Sequence, residues 1–372
     1  MQKFSFASLV DSLHFGTDFS KFSPMIQSHL LKVQDLLLEF LRTSNGIPQS
    51  VRESLAFLTE TGYSRLVTSP YFCELLMLRK ELADSSSQIK LEDQIITAII
   101  AEIRVANPEI RFEIEPKWTI NGDIVLDLDI AKEFPALQTS CGLQLNYQSQ
   151  IHNTDRHDIG GYDHTIGLQH RERIETGRNL IQSTSPAADS LIENFTTMIQ
   201  FRNNFERPNV VNSSTHTSIG LIRCDNFHKL HNDMPEIVDM LVHESIHQFL
   251  HLYEEQIEAF VDESKITPHL KHARLFASPW SGKPLDLRSY THAILVWYGL
   301  IHFWQQYLDR NYEHRELTLI QAQEKLNEAL LGFVNSSSVL DNLGMYAELL
   351  NPNYVEEVRR LQAGLQMKVG VA

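Results

Sequence analysis

Long apolar runs, paired cysteines and basic charge are all scarce in this chain of 372 residues. The longest apolar stretch, Ala293 to Trp304, contains His302 and falls short of the ~20 residues that a membrane-spanning helix needs. No membrane span is expected. The weakly apolar start, Met1 to Val10, is cut short by Asp11 and His14 and makes a poor secretion signal. Cysteine occurs three times, as Cys73, Cys141 and Cys224, far apart and with no C-x-x-C. That argues against a disulfide scaffold and for a reducing, cytoplasmic setting. Lys and Arg number 32 against 47 Asp and Glu, a formal charge of −15. A nucleic-acid partner is not expected, because phosphate binding requires a basic face. No internal repeat is present.

Against these absences stands an ordinary globular composition, 42% apolar and 21% charged. Apolar positions recur at three- and four-residue spacing from Met25 to Leu41, Tyr71 to Leu82 and Leu91 to Val105, the pattern of helices with one buried face. The segments Arg111–Glu115 and Ile124–Ile130 alternate in part around the Asn121-Gly122 turn signal, which predicts a hairpin continued towards Leu143–Leu145. Residues 148–178 are polar, with Gly160-Gly161 and His152, His157, His164 and His170. No pair among them has ligand spacing, so this stretch is read as a solvated or substrate-facing loop. Ser185–Arg202 reads as helix, Thr217–Arg223 as strand, and the chain from Tyr290 onwards as helix, broken near Ser336–Ser338 and Asn351–Asn353. The fold expected is α+β and predominantly α-helical, with a small antiparallel sheet in the middle. Three regions are expected: helical 1–106, mixed 107–228 and helical, metal-binding 229–372, which can form one compact unit.

The stretch Leu241-Val242-His243-Glu244-Ser245-Ile246-His247 carries the most chemistry. Two imidazoles four residues apart on a helix lie about 40° apart around its axis and about 6 Å apart along it. One ion can bridge them, and the intervening glutamate can meet water on that ion. The bland alternative is an amphipathic helix with two partly buried histidines in a chain that has 17 of them. The helix is expected from about Met234 to Tyr253, with Asp233-Met234-Pro235-Glu236 at capping-box spacing. Asp239, one turn before His243, is a candidate to orient that ring, or else an exposed helix charge.

A catalytic ion commonly takes a third protein ligand. His251 continues the stripe, but one straight helix cannot easily wrap three successive turns around one ion. Glu258, with Glu254 and Glu255, offers a downstream carboxylate, or simply a solvated acidic helix end. His292 opens an apolar helix after the shaped turn Ser278-Pro279-Trp280-Ser281-Gly282, with Arg288 one turn ahead. It is the favoured third ligand.

The pairing of Leu241–His247 with Ser278-Pro279-Trp280 and Arg288-Ser289-Tyr290-Thr291-His292 resembles the HExxH-motif peptide-modification family associated with ribosomally made peptide natural products. The resemblance covers roughly residues 215–310. It implies His243, His247 and His292 as a three-histidine metal set. It also implies an iron(II)- and 2-oxoglutarate-dependent hydroxylase acting on a precursor peptide.

Two chemistries then compete. An iron oxygenase needs a cation for the distal carboxylate of 2-oxoglutarate, and guanidinium grips carboxylate with two parallel bonds. Arg288 is the first choice, unless it pairs with Asp286 at the surface; Arg223 and Arg274 are reserves. Glu244 would then accept a hydrogen bond rather than act as a base. A zinc (Zn2+) peptidase or amide hydrolase would instead use Glu244 as general base, although the G-x-x-H continuation of Met-turn proteases is absent. A third class, a peptide-binding or scaffold protein with a structural metal, would normally show four ligands, often including cysteine.

Overall fold

A computed structural model describes residues 4–81, 85–113, 118–121, 124–127, 137–138, 143–147, 157–158, 164–204, 211–229, 233–271, 273–310, 314, 317–335 and 338–369. The protein is mostly helical with a minor sheet. The helices are α1 (Phe6–Ser12), α2 (Ser23–Thr43), α3 (Gln49–Ser54), α4 (Glu60–Thr68), α5 (Pro70–Glu81), α6 (Ser85–Ala106), α7 (His164–Thr184), α8 (Pro186–Phe195), α9 (Met234–Gln256), α10 (Pro268–Lys271), α11 (Leu287–Asp309), α12 (Leu319–Val334) and α13 (Pro352–Val369). The strands are β1 (Trp118–Asn121), β2 (Ile124–Asp127), β3 (Leu137–Gln138), β4 (Gln144–Tyr147), β5 (His157–Asp158), β6 (Thr196–Asn204), β7 (Val211–Ser213), β8 (Gly220–Asp225), β9 (Phe276–Ala277) and β10 (Pro284–Leu285). No helix among the described residues is long and apolar enough to cross a membrane.

The chain divides into two compact units, and these do not follow chain order. The first comprises residues 1–21, 177–192 and 232–372; the second comprises 22–176 and 193–231. One division between the units falls at 231/232, and residues 106 and 107 both lie within the second unit.

The second unit buries the apolar faces of α2, α5 and α6, with Val33, Leu37, Phe40, Phe72, Leu75, Ile95, Ile99 and Ile103 in one core shared with Met198 and Leu221 of the sheet. The sheet runs β3-β4-β6-β8-β7, with β5 also on β6. Its central pairs β4/β6 and β6/β8 are parallel, so it is mixed rather than antiparallel as expected. The reason is β6. The expected helix Ser185–Arg202 stops at Phe195, and Thr196 to Asn204 is a strand. Its buried Met198, Ile199 and Phe201 suit a strand covered on both faces, where apolar residues run on without strict alternation.

The hairpin expected around Asn121 forms as β1/β2, closing with Asn121 opposite Ile124. Arg111–Glu113 is not strand, and residues 114–117 lie outside the described set. The polar stretch expected as a loop is helix from His164; His152 lies outside the described residues. His170 is buried against Phe201 and Phe227 at ring separations of 4.8 Å.

The first unit is a helical bundle. Its two longest helices, α9 and α11, run antiparallel, as four contacts show. From one end to the other, Asp239 meets Trp304, His243 meets Trp297, Ile246 meets Gly299, and His251 meets His292. Gly299 lets the two backbones approach, since a Cβ there would stand 2.7 Å from Ile246 Cδ1. Ile246, Leu250, Leu295 and Leu300 are fully buried, each contributing about 1.5–3 kcal/mol of hydrophobic stabilisation.

Candidate metal centre

Helix α9 supplies one side of the site. It is buried over most of its circumference, yet Asp239, His243, His247, His251 and Glu254 all keep partial exposure. Their spacing of three to four residues places them on one stripe of the helix. The expected capping box at the start of α9 does not form: Asp233 makes no side-chain cap, and Glu236 pairs with Lys325 instead.

Helix α11 supplies the other side. Asp286 caps its first turn by accepting from the Ser289 amide at 2.8 Å, so the helix starts at Leu287. Arg288 and His292 then fall one turn apart on the same face.

These two helices bring together His247, His251 and His292, whose ligand atoms all lie within 4.8 Å of one another. His247 Nδ1 and His292 Nδ1 are 3.4 Å apart. Two nitrogens bound to one ion at ~2.1 Å stand about 3.0–3.4 Å apart, depending on geometry, so this gap fits a bridging ion. The His251 and His292 rings are 4.5 Å apart. His243 is not a member of this group. Its ring meets the edge of Trp297 at 6.0 Å, and Trp297 stacks on Trp280 at 5.7 Å and 10°. This group differs by one turn from the expected set His243, His247, His292, although the His243 and His247 ring centroids lie 5.0 Å apart. The antiparallel crossing aligns His292 with the turn 247–251 and gives His243 an aromatic neighbour.

Electrostatics prepare the His247 ring for a cation. Burial, and then the neighbouring His243 and His292 rings, push His247 well below the ordinary histidine range. A neutral imidazole keeps the lone pair a metal needs.

Glu254 organises the rest. Its Oε2 accepts from His292 Nε2 at 2.6 Å and from Arg288 Nε at 2.8 Å, and its Oε1 accepts from the Phe260 amide at 3.2 Å. Burial opposes ionisation, but His292 and Arg288 override it and hold the carboxyl at about 2. An ionised carboxylate can only accept, so His292 Nε2 carries the proton and donates. The other nitrogen, Nδ1, is left to face His247. A carboxylate that fixes a histidine tautomer in this way is a common support of metal ligands.

The remaining expected residues fare differently. Arg288 pairs with Glu254 rather than with Asp286, yet its side chain stays 36% exposed and its two terminal nitrogens make no hydrogen bond among the described residues. Arg223 is spent on Glu74 at 2.5 Å and Ser218 at 3.2 Å, so it is no open receptor for a carboxylate. Arg274 is exposed. Asp239 accepts from Trp304 Nε1 at 3.0 Å and does not orient His243. Glu258 accepts from Asn351 and Asn353, tying the α9 exit to the start of α13. Glu244 is only 4% exposed.

Sequence reasoning weighed Glu254 only as a downstream ligand or part of a solvated acidic helix end, not as the partner of His292 and Arg288. The signal was its place on the stripe after His247 and His251; its position at an acidic helix end disguised it. Compared with known proteins, the chain matches no family model, and no curated protein matches it significantly. The motif resemblance therefore rests on its own residues.

Proposed function

We propose that this protein is a metal-dependent enzyme that hydroxylates a ribosomally made precursor peptide, with iron(II) held by His247, His251 and His292 and with 2-oxoglutarate as co-substrate. The observation that carries this reading is the shared oxygen of Glu254. It leaves His292 Nδ1 facing His247 Nδ1 and holds Arg288 beside His292, with the terminal nitrogens of Arg288 open. A carboxylate gripped there would lie within a few ångströms of the three imidazoles, as a 2-oxo acid that chelates the ion through its other end requires.

The ion, when bound, supplies the activation of dioxygen that neutral side chains cannot. The chain's own residues do the rest. His247, His251 and His292 present lone pairs, Glu254 keeps the proton on His292 Nε2, and Arg288 neutralises and aligns the distal carboxylate. The overall change balances as substrate C–H plus dioxygen plus 2-oxoglutarate giving C–OH, succinate and carbon dioxide. One oxygen atom enters the peptide and the other enters succinate. The peptide class comes from the motif resemblance.

The zinc hydrolase alternative has weaker support here, because Glu244 is buried and His243 stands outside the ligand group. Anaerobically purified protein, given iron(II), 2-oxoglutarate, a peptide encoded beside its gene and then air, should release succinate and add one oxygen atom to the peptide by mass spectrometry. Arg288→Lys should raise the KM for 2-oxoglutarate while leaving bound iron unchanged. Bound zinc with peptide cleavage that Glu244→Gln abolishes, and no succinate, would overturn the reading.

A further inference from the structure

A second group of metal-capable side chains stands on α11, ten residues beyond His292 and so about 15 Å along the helix. Tyr298, His302 and Gln306 follow one another at four-residue spacing, and all three meet His14. The His14 Nε2 and Tyr298 hydroxyl are 2.5 Å apart. The His14 and His302 ring centroids are 4.2 Å apart, and those of Tyr298 and His302 are 4.7 Å apart. Gln306 Nε2 donates to the His14 carbonyl at 2.7 Å. The next residue, Phe15, has φ +53°, a left-handed conformation that costs a bulky side chain energy. The backbone is thus held in an uncommon state at the point that delivers His14 to α11. His14 and His302 are partly exposed, so solvent ions can reach them, while Tyr298 is buried.

We propose that His14, Tyr298 and His302 form a second cation site, which takes a divalent transition-metal ion such as zinc or copper. Imidazole and phenolate suit such ions. Burial pushes the Tyr298 hydroxyl up to about 12, so without an ion it keeps its proton in the bond with His14. On binding, the ion takes the place of that proton. The phenol O–H breaks, the proton leaves to solvent, and an oxygen–metal bond forms beside two imidazole lone pairs. Arg360, the cation acting on Tyr298, is itself paired with Asp11 and Glu357, which reduces its opposition to a second positive charge. The assignment does not depend on the chemistry proposed for the first centre.

The test uses the full chain with His247→Ala and His292→Ala, so that the first centre is removed. Titrated with zinc in a calorimeter, this protein should still bind one ion per chain. Its copper(II) form should show a phenolate-to-copper absorption band. Adding His14→Gln or His302→Gln should abolish that binding step, and Tyr298→Phe should remove the band. Tyr298→Phe keeps the packed ring, so it decides the matter should an imidazole variant fail to fold. No ion bound by the double variant, or binding and a band that survive all three substitutions, would overturn the assignment.

Discussion

In the proposed metal centre His251, not His243, joins His247 and His292, and this has a direct consequence. His251→Ala should strip the metal from purified protein, whereas His243→Ala should retain it, as elemental analysis will read. If His243→Ala loses the ion and His251→Ala keeps it, the ligand set is wrong. Glu254→Ala should weaken metal affinity about 10- to 100-fold through the loose tautomer of His292, without removing a ligand. The need for two histidines four apart was legible in the sequence. The turn was not, because His243, His247 and His251 share one stripe and every i, i+4 pair on it is locally equivalent. Glu254 and Arg288 were both visible as charges, but only their mutual contact shows that one positions the other.

Helices α9, α11 and α12 were largely readable, since long apolar periodicity is the strongest local signal. What set them into register was less visible. Trp280 lies flat against Gly332 of α12, where a Cβ would come within 2.4 Å of the indole, and its Nε1 donates to the Ala329 carbonyl at 2.9 Å. Gly332→Ala should therefore destabilise the first unit by about 1–3 kcal/mol through overpacking, seen as a lower Tm; no change would mean that the indole can move aside. At the start of α11, Asp286→Ala removes the cap and should cost about 1 kcal/mol. It should also loosen Arg288 and so, under the proposed hydroxylase function, raise the KM for 2-oxoglutarate. The strand β6 was missed because Thr196–Arg202 directly continues a helical pattern, and its parallel neighbours β4 and β8 are remote in sequence.

Across the whole molecule, the chain returns on itself, so that its first 21 residues belong with its last 141 and bring α1 and His14 to the helices of the first unit. Stability on this scale should carry the signature of Asp239. Burial lifts its carboxyl from 3.8 to about 6, with Lys325 and Trp304 opposing the rise. A carboxyl raised on folding favours the native state most below its unfolded value, and that advantage fades as pH rises through the folded value. Between pH 4 and 7 the wild type should lose of order 1–2 kcal/mol relative to Asp239→Asn, measured by urea unfolding at each pH. Parallel curves for the two proteins would show that Asp239 titrates alike folded and unfolded.

Composition and periodicity alone determined a helical majority, a minor sheet and a histidine-bearing helix near 243, because these depend on spacing within one segment. The tertiary structure decided which histidines meet, which arginine stays open and where the sheet finds its parallel partners. Those outcomes depend on how two helices cross and on contacts between residues tens to hundreds of positions apart, which no local pattern encodes.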